Sequence, residues 1–250
     1  MTGGNTSWEL GGAKRLALGE VFTKVGASFR LPNASEYTCF DGDLCQLTLL
    51  RPQTSQDFEL GYRWAKDATT ASARYFRHDL RNEIGFIKNP SERFGSNRNF
   101  EPTRRDGLEF DLNTRLGSST EAALQYAWRR AVFTSGVYQG SDIPLAPRQS
   151  LTARLNYRMS ANQQWLLTSQ WVASQRIGDD FSNSSAQRVP AYGIVNLRYN
   201  HKLAGWTLSA AVNNLTDRAY YNYRTNVDED EKSVYPEAGR TFLVSAQRRF

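Results

Sequence analysis

The sequence predicts an all-β protein, an antiparallel transmembrane β-barrel. Apolar and polar residues alternate with period two along most of the chain, which is the pattern of a strand with two different faces. Aromatic residues make up 12% of a chain whose hydrophobic residues total only 40% and whose mean hydropathy is −0.60. The connections between predicted strands alternate between short and long. A soluble β-sandwich has shorter strands, about 5–6 residues, and does not sort its loops by length, so a membrane barrel is favoured.

The alternation predicts eleven strands. In the seventh, Leu151, Ala153 and Leu155 alternate with Thr152 and Arg154. The predicted strands are 7–16, 21–30, 57–66, 71–84, 107–116, 121–133, 150–158, 164–176, 191–200, 206–215 and 240–250. Long loops are predicted at 31–56, 85–106, 134–149, 177–190 and 216–239. One rim therefore has short turns and the other has long loops, as in barrels of bacterial outer membranes.

Aromatic residues mark the short-turn rim. Trp64, Tyr157 and Tyr199 end strands there, and Trp165 and Trp206 begin strands there. Amphipathic rings are enriched where a bilayer meets water. The pattern predicts an aromatic girdle at this rim.

The polar face of the strands is predicted to line the barrel lumen. It carries charges of both signs: Lys24, Arg30, Glu59, Arg63, Arg74, Glu109, Asp111, Arg115, Arg129, Arg154, Arg158 and Arg198. Such a lining suits either an aqueous channel or a lumen filled by a folded polar plug, and the composition does not separate the two.

The net charge of +6 comes from 31 basic and 25 acidic residues. Because the arginines are spread singly along strands, a nucleic-acid site is disfavoured. Cys39 and Cys45 lie close together in a polar loop, which favours a local disulfide and an oxidising compartment over a reduced pair. Zinc is disfavoured because His78 and His201 are distant in sequence and a structural site takes four ligands. The opening residues lack the pattern of a signal peptide, which predicts a lost export signal or a fragment.

Six ordered segments resemble TonB-dependent outer-membrane receptors. FTKVGASFRLPNASEY (22–37) is similar to the strand with an FRxP signature, and LRPQTSQDFELGYRW (50–64) to the L-x-P-E-x-S-x-x-x-E-L-G segment, with Gln53 where Glu is usual. The others are ARYFRHDLRNEIGF (73–86), EPTRRDGLEFDL (101–112), VNNLTDRAYYNY (212–223) and YPEAGRTFLVSAQRRF (235–250). Together they cover nearly the whole chain in the family's order.

This resemblance implies a 22-stranded barrel, plugged by an N-terminal domain, that imports a scarce ligand across the outer membrane of a Gram-negative bacterium. Residues 1–250 correspond to its C-terminal portion, strands 12 to 22, without the plug domain. The implied partners are outer-membrane lipid, the barrel-assembly machinery, a ferric siderophore or similar ligand, and the TonB complex acting through the plug region. A cobalamin or haem receptor, or a non-transporting pore or surface-binding barrel, are the alternatives. No catalytic residue, cofactor or metal site is expected, and the chain is not expected to be an enzyme.

Eleven strands raise the question of how the sheet ends. Two unpaired edges cannot face lipid, because unsatisfied backbone groups there cost several kcal/mol each. Closure of an odd number of strands would pair the first and last in parallel, which is unusual for a bacterial barrel. A fragment of a larger barrel is the favoured interpretation, and such a chain alone is not expected to transport.

Three tyrosines in the last long loop are the candidate ligand contacts. Aromatic rings on outward loops offer contact area at low entropic cost, which favours Tyr220, Tyr221 and Tyr223. The neighbouring acidic run 228–231 is interpreted as a solvated loop, since it lacks the spacing of a calcium loop. Asn213 and Asn214, together with Asp217, are expected to form the strand exit through turn hydrogen bonds.

The chain ends on an aromatic strand. Phe242 and Phe250 share the apolar parity of the last strand, so both are expected to face lipid. The resemblance implies that a C-terminal Phe strand is the signal read by the barrel-insertion machinery. Arg248 departs from this pattern, because the family usually has an apolar residue there.

Overall fold

A computed structural model describes residues 4–37, 49–87, 95–226 and 232–248. The strands are β1 (Trp8–Leu16), β2 (Gly19–Arg30), β3 (Gln53–Lys66), β4 (Thr69–Arg81), β5 (Ile84–Ile87), β6 (Ser96–Asn99), β7 (Thr103–Leu116), β8 (Thr120–Phe133), β9 (Gln149–Arg158), β10 (Gln163–Val172), β11 (Gln175–Arg176), β12 (Arg188–Val189), β13 (Tyr192–Leu203), β14 (Trp206–Asn213), β15 (Tyr221–Asn226), β16 (Lys232–Pro236) and β17 (Thr241–Arg248). A 3-10 turn covers Ala34–Tyr37. No helix in these described ranges is long and apolar enough to cross a membrane.

Eleven long strands form one antiparallel sheet in the order β1-β2-β3-β4-β7-β8-β9-β10-β13-β14-β17. Every predicted strand is present, so the prediction of eleven antiparallel strands is confirmed. The sheet is open over the described residues, where β1 pairs only with β2 and β17 only with β14. The short connections all lie at one end of the sheet and the long ones at the other.

Several strands extend further toward the long loops than predicted. β3 begins at Gln53 and β7 at Thr103, four residues before the predicted starts at 57 and 107. The residues added to β3 and β7 are all polar, yet their backbones continue the ladder, with Thr54 opposite Arg81 and Arg104 opposite Val132. Alternation of hydropathy therefore marks only the part of each strand whose two faces meet different solvents. β10 is shorter than predicted, because the chain leaves the sheet after Val172.

The two faces of the sheet differ sharply. We call the face that carries Leu108, Phe110 and Leu112 the outer face, and the face that carries Glu109 and Asp111 the inner face. One row of the outer face runs across five strands and is apolar throughout: Trp64, Ala71, Leu112, Leu124 and Ala153. Exposed outer-face side chains such as Phe110 (44%) and Leu124 (40%) form a continuous apolar surface. A surface of this kind is suited to contact with lipid.

The pairing register of neighbouring strands places the residues of the aromatic girdle side by side. Trp165 lies opposite both Tyr157 and Tyr199 on its neighbouring strands, and the rings of Trp165 and Tyr199 are 4.7 Å apart. Residues far apart in sequence therefore meet at one height near the short-turn rim, as predicted. His201 follows the predicted end of its strand at residue 200, but it lies inside β13, where its Nδ1 is 3.1 Å from the Tyr199 hydroxyl.

The long loops contain secondary structure that the sequence analysis did not predict. β5 pairs with β6, β11 with β12 and β15 with β16, each pair forming a small separate sheet. The most deeply buried side chains of the described residues also lie at this end: Phe133, Ile177, Val189 and Thr103, each 1% exposed. The apolar core is therefore under the loops, while the middle of the sheet has open faces.

Some predictions fall on residues outside the described ranges. They concern the disulfide between Cys39 and Cys45, the acidic run 228–231 and the terminal Phe250. Phe242 is described, and it lies on the outer face of β17 with 74% of its surface exposed. Its role in barrel insertion stays a prediction.

Candidate ligand-binding site at the long-loop rim

An aromatic cluster anchors the long loops to the sheet. Phe133, at the end of β8, contacts Phe100, Tyr138 and Phe181 with ring centroids 5.5–6.2 Å apart. Phe181 also contacts Phe100 at 5.2 Å and Tyr138 at 5.6 Å. Because these rings come from three separate connections, burying them fixes the connections to one another.

A polar network fixes the loop between β11 and β12. The guanidinium of Arg176 lies 3.2 Å from the Asp180 carboxylate, whose side chain is only 3% exposed. The side-chain amide of Asn183 donates through Nδ2 to the backbone carbonyl of Asp142 at 2.8 Å. Its Oδ1 accepts from the backbone N–H of Asp142 at 2.8 Å. Buried and largely satisfied polar groups of this kind select one loop conformation. The network joins loop 177–187 to loop 134–148.

The tyrosine-bearing hairpin β15–β16 docks on the same loop. The Gly178 amide donates to the Arg224 carbonyl at 2.7 Å, and the Arg224 guanidinium donates to the Gln187 side chain. The Gln175 amide group donates to the Asn222 carbonyl at 3.0 Å. The hairpin is therefore held by backbone and side-chain bonds to two other segments.

The turn that leads into this hairpin is formed as the sequence predicted. Asn214 and Asp217 adopt left-handed backbone conformations, with φ values of 51° and 52°. The Asn214 side chain donates to the Arg218 carbonyl at 2.9 Å and accepts from the Arg218 amide at 2.9 Å. Asp217 accepts a hydrogen bond from the Arg240 amide at 2.8 Å. These bonds set the direction in which the chain leaves β14 toward the three tyrosines.

Two of the three predicted tyrosines, Tyr220 and Tyr223, each contact another aromatic ring. The rings of Tyr220 and Tyr192 are 4.7 Å apart, and those of Tyr223 and Tyr235 are 5.2 Å apart in an edge-on arrangement. Tyr235 is 63% exposed and Tyr223 is 37% exposed. Tyr221 has no ring contact in the described part of the chain, and its partner in the hairpin is Pro236. The structure thus brings together two aromatic pairs instead of one contiguous trio.

Tyr192 and Tyr235 were missed as site residues by the sequence analysis. Tyr192 begins a strand and Tyr235 lies beyond the acidic run, so neither is close to the trio along the chain. Their position could have identified both tyrosines as candidates, because each lies where a strand meets a long loop.

The pKa values of two phenols at this rim, Tyr220 and Tyr223, are raised. Burial, and then the carboxylate of Glu237, raise the pKa of Tyr220. Burial, then Asp179 and Tyr235, raise the pKa of Tyr223. Neutral phenols can stack on a ligand and donate hydrogen bonds to its oxygen atoms.

Two exposed arginines lie in the long connections at this end of the sheet. Arg188 and Arg218 are exposed at this rim, and in the described part of the chain neither side chain has an ion-pair partner. An anionic ligand would therefore meet both aromatic surface and positive charge. No group of three His, Cys, Asp or Glu side chains in the described ranges could hold a metal ion.

The inner face below the loops carries a continuous charge ladder. Lys24 Nζ lies 3.1 Å from Glu9 and 3.4 Å from Glu59, and Glu59 lies 3.0 Å from the Arg74 guanidinium. Arg74 also pairs with Glu109. The ladder crosses β1, β2, β3, β4 and β7 at one level. Part of the lumen lining of mixed sign that the sequence predicted is thus a network of paired charges.

Comparison with known proteins identifies this architecture. Residues 3–215 match the family model for the TonB dependent receptor-like β-barrel. The chain belongs to the TonB-dependent receptor family. The members of this family are transport receptors, and its barrels lie in the outer membrane of Gram-negative bacteria.

Individual relatives are similar over most of this chain. The ferric enterobactin receptor of Pseudomonas aeruginosa is 23% identical over 225 residues, covering 80% of this chain and 30% of that protein. The ferric yersiniabactin uptake receptor FyuA from Yersinia pestis superposes with a TM-score of 0.76 at 18% identity, covering 97% of this chain and 37% of the other. The copper transporter OprC superposes with a TM-score of 0.77 at 18% identity, covering 97% and 39%. The chain thus spans roughly a third of the length of the proteins it matches.

Proposed function

We propose that the chain forms part of the wall and ligand-capturing rim of an outer-membrane transporter for a ferric siderophore or similar iron chelate. The observation that carries this proposal is the long-loop rim, where two tyrosine pairs and the exposed Arg188 and Arg218 lie in connections that ring contacts and hydrogen bonds join to one another. Siderophore complexes of the catecholate and hydroxycarboxylate types are anionic and present flat or oxygen-rich surfaces. Neutral phenols and guanidinium groups can recognise both features.

The relatives support iron over other cargoes. The similar receptor from Pseudomonas aeruginosa is named for ferric enterobactin, and FyuA is named for ferric yersiniabactin. OprC, named as a copper transporter, has the same fold, so the fold itself does not select the cargo. The choice of iron rests on the sequence relative and on the chemistry of the rim.

Transport through this wall requires partners. The charge ladder on the inner face offers paired ionic groups to a polar plug. The TonB complex would supply the energy that moves such a plug. The open edges β1 and β17 would pair with further strands to complete the barrel, since unpaired backbone groups in lipid are costly. In this arrangement the outer face contacts outer-membrane lipid.

The test is uptake of radioactive iron by cells with and without the complete gene. Iron-limited cells are given ⁵⁵Fe bound to a catecholate, a hydroxamate or a hydroxycarboxylate siderophore, and uptake is repeated after collapse of the proton gradient. We expect saturable uptake of at least one chelate that needs both the gene and the gradient. Unchanged uptake of all three in the deletion strain would contradict the iron proposal, and gene-dependent growth on cobalamin, haem or copper would replace it.

A further inference from the structure

The carboxylates of the inner face are confined to one half of the sheet. Those on the described strands all lie on β1, β2, β3, β7 and β8: Glu9, Glu20, Asp57, Glu59, Glu109, Asp111 and Glu121. The remaining five strands of the sheet, β9, β10, β13, β14 and β17, contain no Asp or Glu. Because β9 and β13 still carry inner-face arginines, this second half of the inner face is positively charged.

Two arginines of the second half have no carboxylate partner in the described part of the chain. Arg154 on β9 and Arg198 on β13 are both exposed, and neither forms an ion pair there. The acid on the adjoining strand β8 is Glu121, which already meets Arg115 at 3.6 Å and Arg158 at 3.9 Å. The charges of Arg154 and Arg198 are therefore available to a group that enters the lumen.

The register places these two arginines on either side of one strand. Thr168 on β10 lies opposite Arg154 in β9, and Leu166, on the same face of β10, lies opposite Arg198 in β13. With strands about 4.8 Å apart and a rise of about 3.4 Å per residue, the two Cα atoms are roughly 12 Å apart. Arginine side chains can converge over this distance, so both guanidinium groups can contact one anion that lies over β10.

The inner face of β13 leads from the candidate ligand site to these arginines. Tyr192, whose ring contacts Tyr220, begins β13, and Asn196 and Arg198 follow on the same face. Between the rim and the arginines, the inner-face residues of β9 and β10 are uncharged: Ser150, Thr152, Thr168, Gln170 and Val172. An anion that descends this face from the rim would meet hydrogen-bonding groups and then positive charge, without passing a carboxylate.

We propose that an anionic cargo crosses the lumen along the inner face of β9, β10 and β13, where Arg154 and Arg198 contact it. A surface of one charge sign concentrates counter-ions and speeds their arrival. The half formed by β1 to β7 lacks this advantage, because its cations are paired with carboxylates in the charge ladder. The inference rests on the proposed function for the identity of the anion, a ferric chelate.

The first test compares surface binding with uptake in cells that express the complete gene, given ⁵⁵Fe bound to an anionic catecholate or hydroxycarboxylate siderophore. R154Q/R198Q should lower the maximal uptake rate at least about five-fold, since surfaces of one sign raise local counter-ion concentrations about ten-fold or more. Binding measured with the proton gradient collapsed should change less than about two-fold, because Tyr192 is roughly 20 Å from Arg198, beyond the screening length.

Two further variants serve as controls for charge and position. R154K/R198K keeps both positive charges and should retain most of the uptake. R81Q/R130Q removes two exposed arginines from the outer face of β4 and β8 and should leave both binding and uptake unchanged. A loss caused only by the reduced net charge of the protein would appear equally in R81Q/R130Q.

The second test measures the sign of the local potential without any cargo. Thr168→Cys, in a background without the native cysteines, is treated with an anionic and a cationic methanethiosulfonate reagent. Relative to a free thiol, the anionic reagent should react at least about ten-fold faster than the cationic one, and R154Q/R198Q should remove this preference. Ser72→Cys is the matched control, because Ser72 lies opposite Arg63 and Asp111, one charge of each sign, and should show little preference.

Several results would overturn the inference. They are unchanged uptake in R154Q/R198Q, an equal loss in R81Q/R130Q, equal reaction of both reagents, or no reaction of Thr168→Cys with either reagent. The reagent comparison at Thr168→Cys needs no arginine variant, so it decides even if R154Q/R198Q does not fold. If carboxylates of a domain in the lumen occupy the arginines instead, R154Q/R198Q would lower the unfolding temperature and leave uptake per folded receptor unchanged.

The two proposals fail in different ways. Iron uptake that survives R154Q/R198Q would reject this inference alone. Absent iron uptake by the unmodified protein, with the preference for the anionic reagent intact, would reject the proposed function alone and leave the anion path for a different anionic cargo.

Discussion

At the scale of single residues, Glu59 joins the two halves of the inner-face charge ladder. Its side chain is 11% exposed, and its two oxygens contact different cations, Lys24 and Arg74. Both cations keep a second carboxylate partner, in Glu9 and Glu109. Removing Glu59 therefore weakens the ladder without leaving either cation alone.

We expect Glu59→Gln to lower the free energy of unfolding by about 1–2 kcal/mol, less than the loss of an isolated buried pair because both cations keep partners and water access. The measurement is the temperature at which the folded form is lost on semi-native electrophoresis of the complete gene product. Glu121→Gln is the control, since Glu121 meets Arg115 at 3.6 Å and Arg158 at 3.9 Å while 43% exposed. Equal shifts in the two variants would contradict the bridging role.

The tyrosine pairs give a prediction about ligand affinity. Replacing Tyr220 or Tyr223 by Ala removes one ring of each pair, and the affinity for the transported ferric chelate should fall about 5- to 30-fold. Replacement by Phe retains the ring and should cost less than about three-fold. Isothermal titration with the chelate found in the uptake test measures both. Alanine variants that bind normally would remove the tyrosines from the site.

At the scale of strands, close approach of neighbouring backbones depends on glycine at Gly107. A Cβ at this position would collide with the Trp128 carbonyl oxygen and lie 2.9 Å from the Phe76 ring. Gly107→Ala should therefore destabilise the β7–β8 pair by about 1–3 kcal/mol. Gly193→Ala is the matched control, because its Cβ would meet its nearest neighbours at 3.7 Å. Thermal unfolding followed by circular dichroism separates the two, and similar melting of both variants would contradict this account.

At the scale of loops, Phe181 links three connections through its ring contacts. Phe181→Ala should cost about 3 kcal/mol locally and raise hydrogen exchange in 134–143 and 177–190 about 100-fold, with the long strands unchanged. Val137→Ala changes a side chain that is 83% exposed in the same loop layer and should have no such effect. Mass-spectrometric exchange measures both segments. Unaltered protection in 177–190 would show that the aromatic cluster does not hold the loops.

The same elements show how far the sequence could predict the fold. Strands were predictable where one face is apolar and the other polar, as in β9, because two faces of different polarity impose period two on the residues. The stretch 53–56 was missed because both of its faces are polar, although it forms backbone bonds in the sheet. The pairing of Tyr192 with Tyr220 was not predictable, since it depends on the path of a loop fixed by Asn214 and Phe181.

At the scale of the whole molecule, the account depends on two faces with different solvents. The outer face has exposed apolar residues in register across the strands, and the inner face has charged residues, several of them in ion pairs. In water, an apolar surface of this extent would drive association, and it is suited to contact with lipid. The apolar outer wall and the charge ladder of the inner face both follow from this assignment of faces.

The most direct test is a cysteine-accessibility scan of β9 in cells that express the complete gene, in a background where Cys39 and Cys45 are replaced by Ser. Single cysteines at Leu151, Ala153 and Leu155 are compared with single cysteines at Thr152, Arg154 and Asn156. A membrane-impermeant maleimide should label only the second set, and a lipid-soluble quencher should reach a probe only on the first set. Equal labelling of both sets, or the reverse pattern, would contradict the assignment of this chain to the wall of a membrane barrel.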